Sequence, residues 1–197
     1  MRQRKIKGLT KENIKDLGVI VEPRLINLKG EVHLEVGSGK GQFITKMATD
    51  FKDKTFIAFE KNINVAIRII EKVNELNLEN VIVILDDANN LLEYISQNSV
   101  DILYLNFSDP WPKPRHHKRR LTYPSFLKVY QQVLKTSGLI QLRTDHYDLF
   151  IDSVEYFKSY FELVEVNYNY KSNQYFTEYE EKRLERGNLY QLKGKMK

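Results

Sequence analysis

Two alternating patterns of apolar positions run along the chain. Compact apolar runs rich in β-branched and aromatic side chains read as buried strands at 31–36, 55–59, 81–85, 100–107 and 139–143, with two more near 161–166 and 188–192. Between them the apolar positions fall at helical spacing: Phe43, Ile44 and Met47 after the first strand, then Val65, Ile69, Val73 and Leu76 behind Asn62, a helix-capping residue type. Further helices are predicted near 91–95, over about 122–134 and past Tyr147. Strands alternating with helices in this way specify an α/β fold, a doubly wound parallel sheet with helices on both faces. One domain over 31–197 is expected, with residues 1–30 a basic N-terminal arm of the same unit. Ligands of such sheets sit beyond the carboxyl ends of the strands, where strand order reverses.

The candidate chemistry falls at those ends. The first strand runs into Gly37, Gly39 and Gly41, a turn that lets a ligand approach the backbone closely. A Walker loop is excluded because its Lys-Ser/Thr ending is missing, and Gln42 stands where a dinucleotide fingerprint needs glycine. A Gly-x-Gly-x-Gly turn preceded by an acid, here Glu35, instead fits a binder of a nucleoside sulfonium. Glu60 ends the second strand, where a carboxylate accepts from ribose hydroxyls. Asp87 follows the third strand and is placed for an adenine amino group; its neighbour Asp86 is an alternative for that role.

The fourth strand opens into Asp109-Pro-Trp-Pro-Lys113, followed by Pro114, Arg115, His116, His117, Lys118, Arg119 and Arg120. Prolines on both sides of Trp111 stiffen the loop. A rigid loop carrying a carboxylate, an aromatic plane and a basic run suits a nucleic acid, through phosphate neutralisation and base stacking.

Charge supports that reading through its distribution rather than its total of +5. Residues 1–30 hold eight basic and three acidic side chains, and 31–109 hold seven and thirteen. The stretch between Asp109 and Asp145 holds eight basic and no acidic residue. With no cysteine, disulfides and thiolate zinc sites are excluded, and adjacent His116 and His117 point apart, so no metal is expected. No signal peptide or membrane span is legible, and a cytoplasmic protein, monomer or homodimer, is expected.

At the Asp109 loop the chain resembles the bacterial tRNA (guanine-N7-)-methyltransferases. The resemblance extends over Glu35–Gly41, Phe59 and Glu60, Asp87 and Ala88, Thr144 and Asp145, and Thr177–Glu180. It implies a class I, Rossmann-like fold with a seven-stranded sheet, and S-adenosyl-L-methionine held by Glu35, Gly37, Gly39, Glu60, Asp87 and Asp109, leaving S-adenosyl-L-homocysteine. It also implies tRNA as substrate, methylated on guanine N7 at position 46. Lys113, Asp145, Thr177, Glu178, Tyr179 and Glu180 would bind it, and Arg115 to Arg120 would contact RNA. Pro114 departs from the family, which commonly has a second lysine there. On residue physics alone, 177–186 is a capped surface helix bearing Lys182, Arg183 and Arg186, and only the resemblance draws Thr177 to Glu180 into the site. Asp109 is the expected catalytic carboxylate. The competing readings are an exocyclic-amine methyltransferase, a nicotinamide oxidoreductase and an RNA-binding module without catalysis.

Overall fold

The computed structural model describes residues 6, 8–183 and 187–197. Seven strands form one sheet: β1 (Val32–Val36), β2 (Thr55–Glu60), β3 (Val81–Leu85), β4 (Val100–Asn106), β5 (Leu134–Thr144), β6 (Phe161–Tyr170) and β7 (Leu189–Met196), in the order β3-β2-β1-β4-β5-β7-β6. β2 and β4 flank β1, so the chain turns from one half of the sheet to the other at the β1/β4 boundary. This is the switch point where a crevice opens above the strand ends. The first five strands are parallel, but β7 lies antiparallel between β5 and β6, which corrects the expectation of an all-parallel sheet. The connection over residues 171–188, which includes a short helix, brings the chain back so that β7 runs antiparallel to both β5 and β6.

Both faces of the sheet are covered, which is why its central strands are nearly continuously apolar. Leu34, Ile57, Leu103 and Ile140 pack with Phe126, Tyr130, Phe150 and Phe157 from α4 (Pro124–Val133) and α5 (Tyr147–Tyr160). On the other face Phe56, Ala58, Val83 and Tyr104 meet Ile14, Phe43, Ile44 and Ile69 from α1 (Lys11–Asp16), α2 (Gln42–Asp50) and α3 (Ile63–Glu75). Asn62 caps α3, its side chain accepting from Asn64 N–H.

Other boundaries shift for local reasons. The short helix expected at 91–95 is a 3-10 turn, Ala88–Glu93, started by Asp87 as its cap. Pro124 sets the start of α4, and β5 begins directly after it, five residues earlier than its apolar run. Residues 1–5 and 7 of the basic arm lie outside the described residues. From Thr10 onward the segment is packed rather than arm-like: Thr10 and Asn13 form a capping box, Ile14 is fully buried, and Ile20 pairs in parallel with Ile84 on the β3 edge.

Candidate active site

The turn after β1 places three successive glycines in left-handed backbone. Gly41 (φ 78°) leads into α2, and a Cβ there would lie 2.8 Å from Ile69 Cγ2, so only glycine lets α2 start this close to α3. Gly37 (φ 77°) forms one wall of a cleft of about 620 Å³ at the switch point. Glu60, Asp86, Asp87 and Asp109 line the same cleft, with Phe59, Phe107, Trp111, Leu121 and Phe126 as its apolar surfaces. Lys61, Lys118 and Arg119 add positive charge at the wall.

Each acid is held differently. Glu60 Oε2 accepts from Gly39 N–H at 3.1 Å and Oε1 from Asn62 N–H at 2.9 Å, so one carboxylate ties the glycine turn to the start of α3. Burial raises its pKa even against these bonds. Gly39 therefore acts through Glu60 and is not itself in the cleft wall. Asp86 is committed to the scaffold: it accepts from Asp87 N–H, Asn90 and the Tyr94 hydroxyl at 2.7 to 3.1 Å. Burial opposes its charge, but those three bonds together hold its carboxyl below the usual range. Asp87 uses only Oδ1, for Asn89. Of the two candidates, Asp87 keeps an oxygen for a ligand.

Glu35 lies behind the wall, 1% exposed. Its Oε1 accepts from Asn106 Nδ2 at 2.8 Å, and burial lifts its pKa to about 8 despite that bond. Glu35 Oε2, Asn106 Oδ1 and Ser108 Oγ are buried without a hydrogen-bond partner among the described residues. These three polar atoms around the ends of β1 and β4 fit a polar ligand group as partner.

Asp109 is exposed at the cleft, following Phe107 (φ 50°), and Trp111 (φ 41°) comes two residues later. Left-handed backbone is costly for bulky residues and concentrates at functional loops. The Arg119 guanidinium lies 5.0 Å from the Trp111 ring centre, and His116 meets that ring edge-on at 5.8 Å. Lys113, Pro114 and Arg115 are exposed, with Pro114 in the first turn of the 3-10 segment Pro114–Arg119. Pro114 thus has a structural reason to replace lysine.

Two basic residues expected on RNA are turned inward instead. Arg120 is 1% exposed, donating to the Pro110 carbonyl at 2.7 Å and to Asp152 Oδ2 at 2.5 Å. His117 is half-buried with Nε2 3.0 Å from Arg120 Nη2. A buried guanidinium needs this many acceptors, and having them it has no surface left for a phosphate.

The C-terminal residues divide in the same way. Tyr179 donates to Asp145 Oδ2 at 3.0 Å, receives Arg183, and packs on Phe107 at 5.4 Å between ring centres. That contact joins Asp145 and Tyr179 to the cleft. Thr177 and Glu180 do not reach it: Thr177 caps α6 (Glu178–Glu181) in a capping box with Glu180, which is 0% exposed, accepts from Ser172 and lies 3.8 Å from Arg143. Both residues thus serve the start of α6. Glu178 pairs with Lys72 of α3 at 2.5 Å, and Arg186 lies outside the described residues.

A family model described as "Putative methyltransferase" matches residues 29–192. The tRNA (guanine-N(7)-)-methyltransferase of Staphylococcus haemolyticus is 42% identical over 170 residues, covering 83% of this chain and 79% of that protein. The chain belongs to this methyltransferase family. A second member, named likewise from Staphylococcus aureus, is 36% identical over 88% of this chain and 90% of its own length. A solved SAM-dependent methyltransferase from Aquifex aeolicus superposes with a TM-score of 0.60 at 16% identity, covering 93% of this chain and 87% of that one, and so shares the class I fold.

Against this family, the cleft suits S-adenosylmethionine. Asp87 keeps one free acceptor oxygen in the cleft wall beside Glu60, whose oxygens each take one backbone N–H, and the orphaned atoms of Glu35, Asn106 and Ser108 lie at the strand ends. Sequence reasoning missed Phe107, Asn106 and Asp152. Asn106 and Phe107 adjoin the Asp109 motif and were open to inspection there, whereas Asp152 sits mid-helix with no local signal. Among the described residues no acidic, histidine or cysteine cluster is arranged for a metal, and no helix is long and apolar enough to cross a membrane.

Proposed function

We propose that this protein transfers the methyl group of S-adenosyl-L-methionine to N7 of a guanine in tRNA, the variable-loop guanosine at position 46, giving 7-methylguanosine and S-adenosyl-L-homocysteine. The observation that carries this reading is one cleft lined by Glu60, Asp87 and Asp109 and bordered by the basic loop, in a chain whose relatives are named tRNA (guanine-N(7)-)-methyltransferase.

When bound, S-adenosylmethionine supplies an electrophilic methyl group. Glu60 and Asp87 would hold its ribose and adenine, and the glycine turn would carry its remainder toward Glu35. Guanine N7 has an in-plane lone pair and no proton at neutral pH, so no residue has to act as a base. Positioning and electrostatics are what the protein contributes. As positive charge moves onto the purine, Asp109 stabilises it from the cleft. Asp145, oriented by Tyr179, accepts from the amino and imino edge of the base. Exposed Lys113 and Arg115, with Lys118 and Arg119 at the cleft, neutralise phosphates.

The test is transfer of labelled methyl to unmodified tRNA, with digestion and mass spectrometry of the labelled nucleoside. 7-Methylguanosine at position 46 supports the reading. Label on an exocyclic amine keeps the methyltransferase and overturns the atom, and tRNA binding without transfer points to a binding module.

A further inference from the structure

Arg120 does more than fill a buried position. Its Nε donates to the carbonyl of Pro110, the residue after Asp109, and its Nη1 donates to Asp152 in the second turn of α5. Its Nη2 faces His117 Nε2 at 3.0 Å; a guanidinium only donates, so that ring nitrogen is the acceptor and the hydrogen sits on Nδ1, 3.7 Å from Asp152 Oδ2. The approach of His117 Nε2 to Pro112 O at 3.4 Å is then packing, not a hydrogen bond. A second clasp lies alongside, where Ser153 Oγ and Thr122 Oγ1 are 2.8 Å apart in full burial.

The helix at the other end of this latch is informative. α5 starts two residues after Asp145. The guanidinium therefore connects the loop that carries Asp109 to the helix that follows Asp145. The loop it holds contains two bulky residues, Phe107 and Trp111, in left-handed backbone, a conformation that persists only when surrounding contacts over-determine it.

We propose that Arg120 and Asp152 are positioning residues for methyl transfer, fixing Asp109 at a set distance from Asp145 through the Pro110 carbonyl. The proposal rests on the functional reading above for the roles of the two acids. Neither residue touches substrate, and the geometry they set is of the kind in which small displacements cost large factors in rate.

The protein offers a direct probe, since Trp111 is its one tryptophan and sits inside the latched loop. Asp152→Asn keeps shape and removes the charge at a residue that is partly exposed, so the fold survives. It is expected to shift Trp111 emission and lower kcat about tenfold at a temperature where the variant is still folded, with KM for tRNA and affinity for S-adenosylmethionine little changed and some fall in Tm. Arg120→Lys, which keeps the charge but cannot place donors at the three positions of the planar fork, is expected to behave alike. Unchanged kcat in Asp152→Asn, or a loss of kcat that only tracks a fallen Tm with Trp111 emission unmoved, overturns the proposal. A wild-type protein that methylates no tRNA defeats the functional reading alone, because Trp111 emission scores the latch without turnover.

Discussion

Asn106 Nδ2 reaches from the end of β4 to Glu35 Oε1 on β1 at 2.8 Å and leaves the other Glu35 oxygen buried and unpartnered. One bond cannot offset the loss of water around a fully buried carboxylate, so the group holds its proton up to about pH 8.

A stability effect follows with a definite sign. The unfolded chain releases the Glu35 proton near 4.5 and the folded one near 8, so between these values the unfolded state binds fewer protons and stability falls as pH rises. Glu35→Gln removes this slope. The Tm of the variant relative to wild type is expected to climb from pH 5 to pH 8; parallel Tm curves would falsify the assignment.

The same proton should report ligand binding. A cationic group placed against Glu35 Oε2 favours the carboxylate, so S-adenosylmethionine binding at pH 7 is expected to release protons. Calorimetry in buffers of different ionisation enthalpy reads that release directly. An identical binding enthalpy in every buffer, or the same release from Glu35→Gln, places the cation elsewhere.

Asp109→Asn is expected to lower kcat about 100-fold while changing S-adenosylmethionine affinity far less, the pattern of an interaction that strengthens as charge develops. Single-turnover transfer to tRNA measures it. Full turnover in the variant would move the electrostatic role to another residue.

The basic residues separate into two groups by burial. Removing exposed Lys113 and Arg115 together is expected to weaken tRNA binding and reduce the slope of log K against log salt by roughly 1.5 to 2. A slope unaltered by the double substitution would show that neither meets a phosphate.

Gly41→Ala is expected to cost about 1–3 kcal/mol, because alanine is strained at φ 78° and its Cβ would press on Ile69. Urea denaturation gives the number, and a variant as stable as wild type would mean that α2 can shift away from α3.

Much of this was legible in the chain because local rules and global fold agree there. The strands at 31–36, 55–59 and 81–85, the cap at Asn62 and the acids at the strand ends all lie close to where periodicity and turn chemistry place them. The burial of two charged residues was not legible. Arg120 and Glu180 carry charge that marks a surface residue in one dimension, and only the folded chain supplies the partners that make their burial tolerable. Asp152 gave no signal because its meaning lies in a residue 32 positions away. The strand near 188–192 was legible but its antiparallel direction was not, because its apolar run carries no mark of direction.

The family model begins its match at residue 29, but the packed core begins earlier. Ile20 donates to Val83 and accepts from Leu85, covering the β3 edge, while Ile14, Val19 and Val21 fill the core beneath. A shortened protein starting at residue 31 would keep every acid of the cleft and yet lose both hydrogen bonds that Ile20 makes on the β3 edge, leaving that edge open beside an apolar hollow. The chemistry and the seal of the sheet edge thus reside in different stretches of the chain.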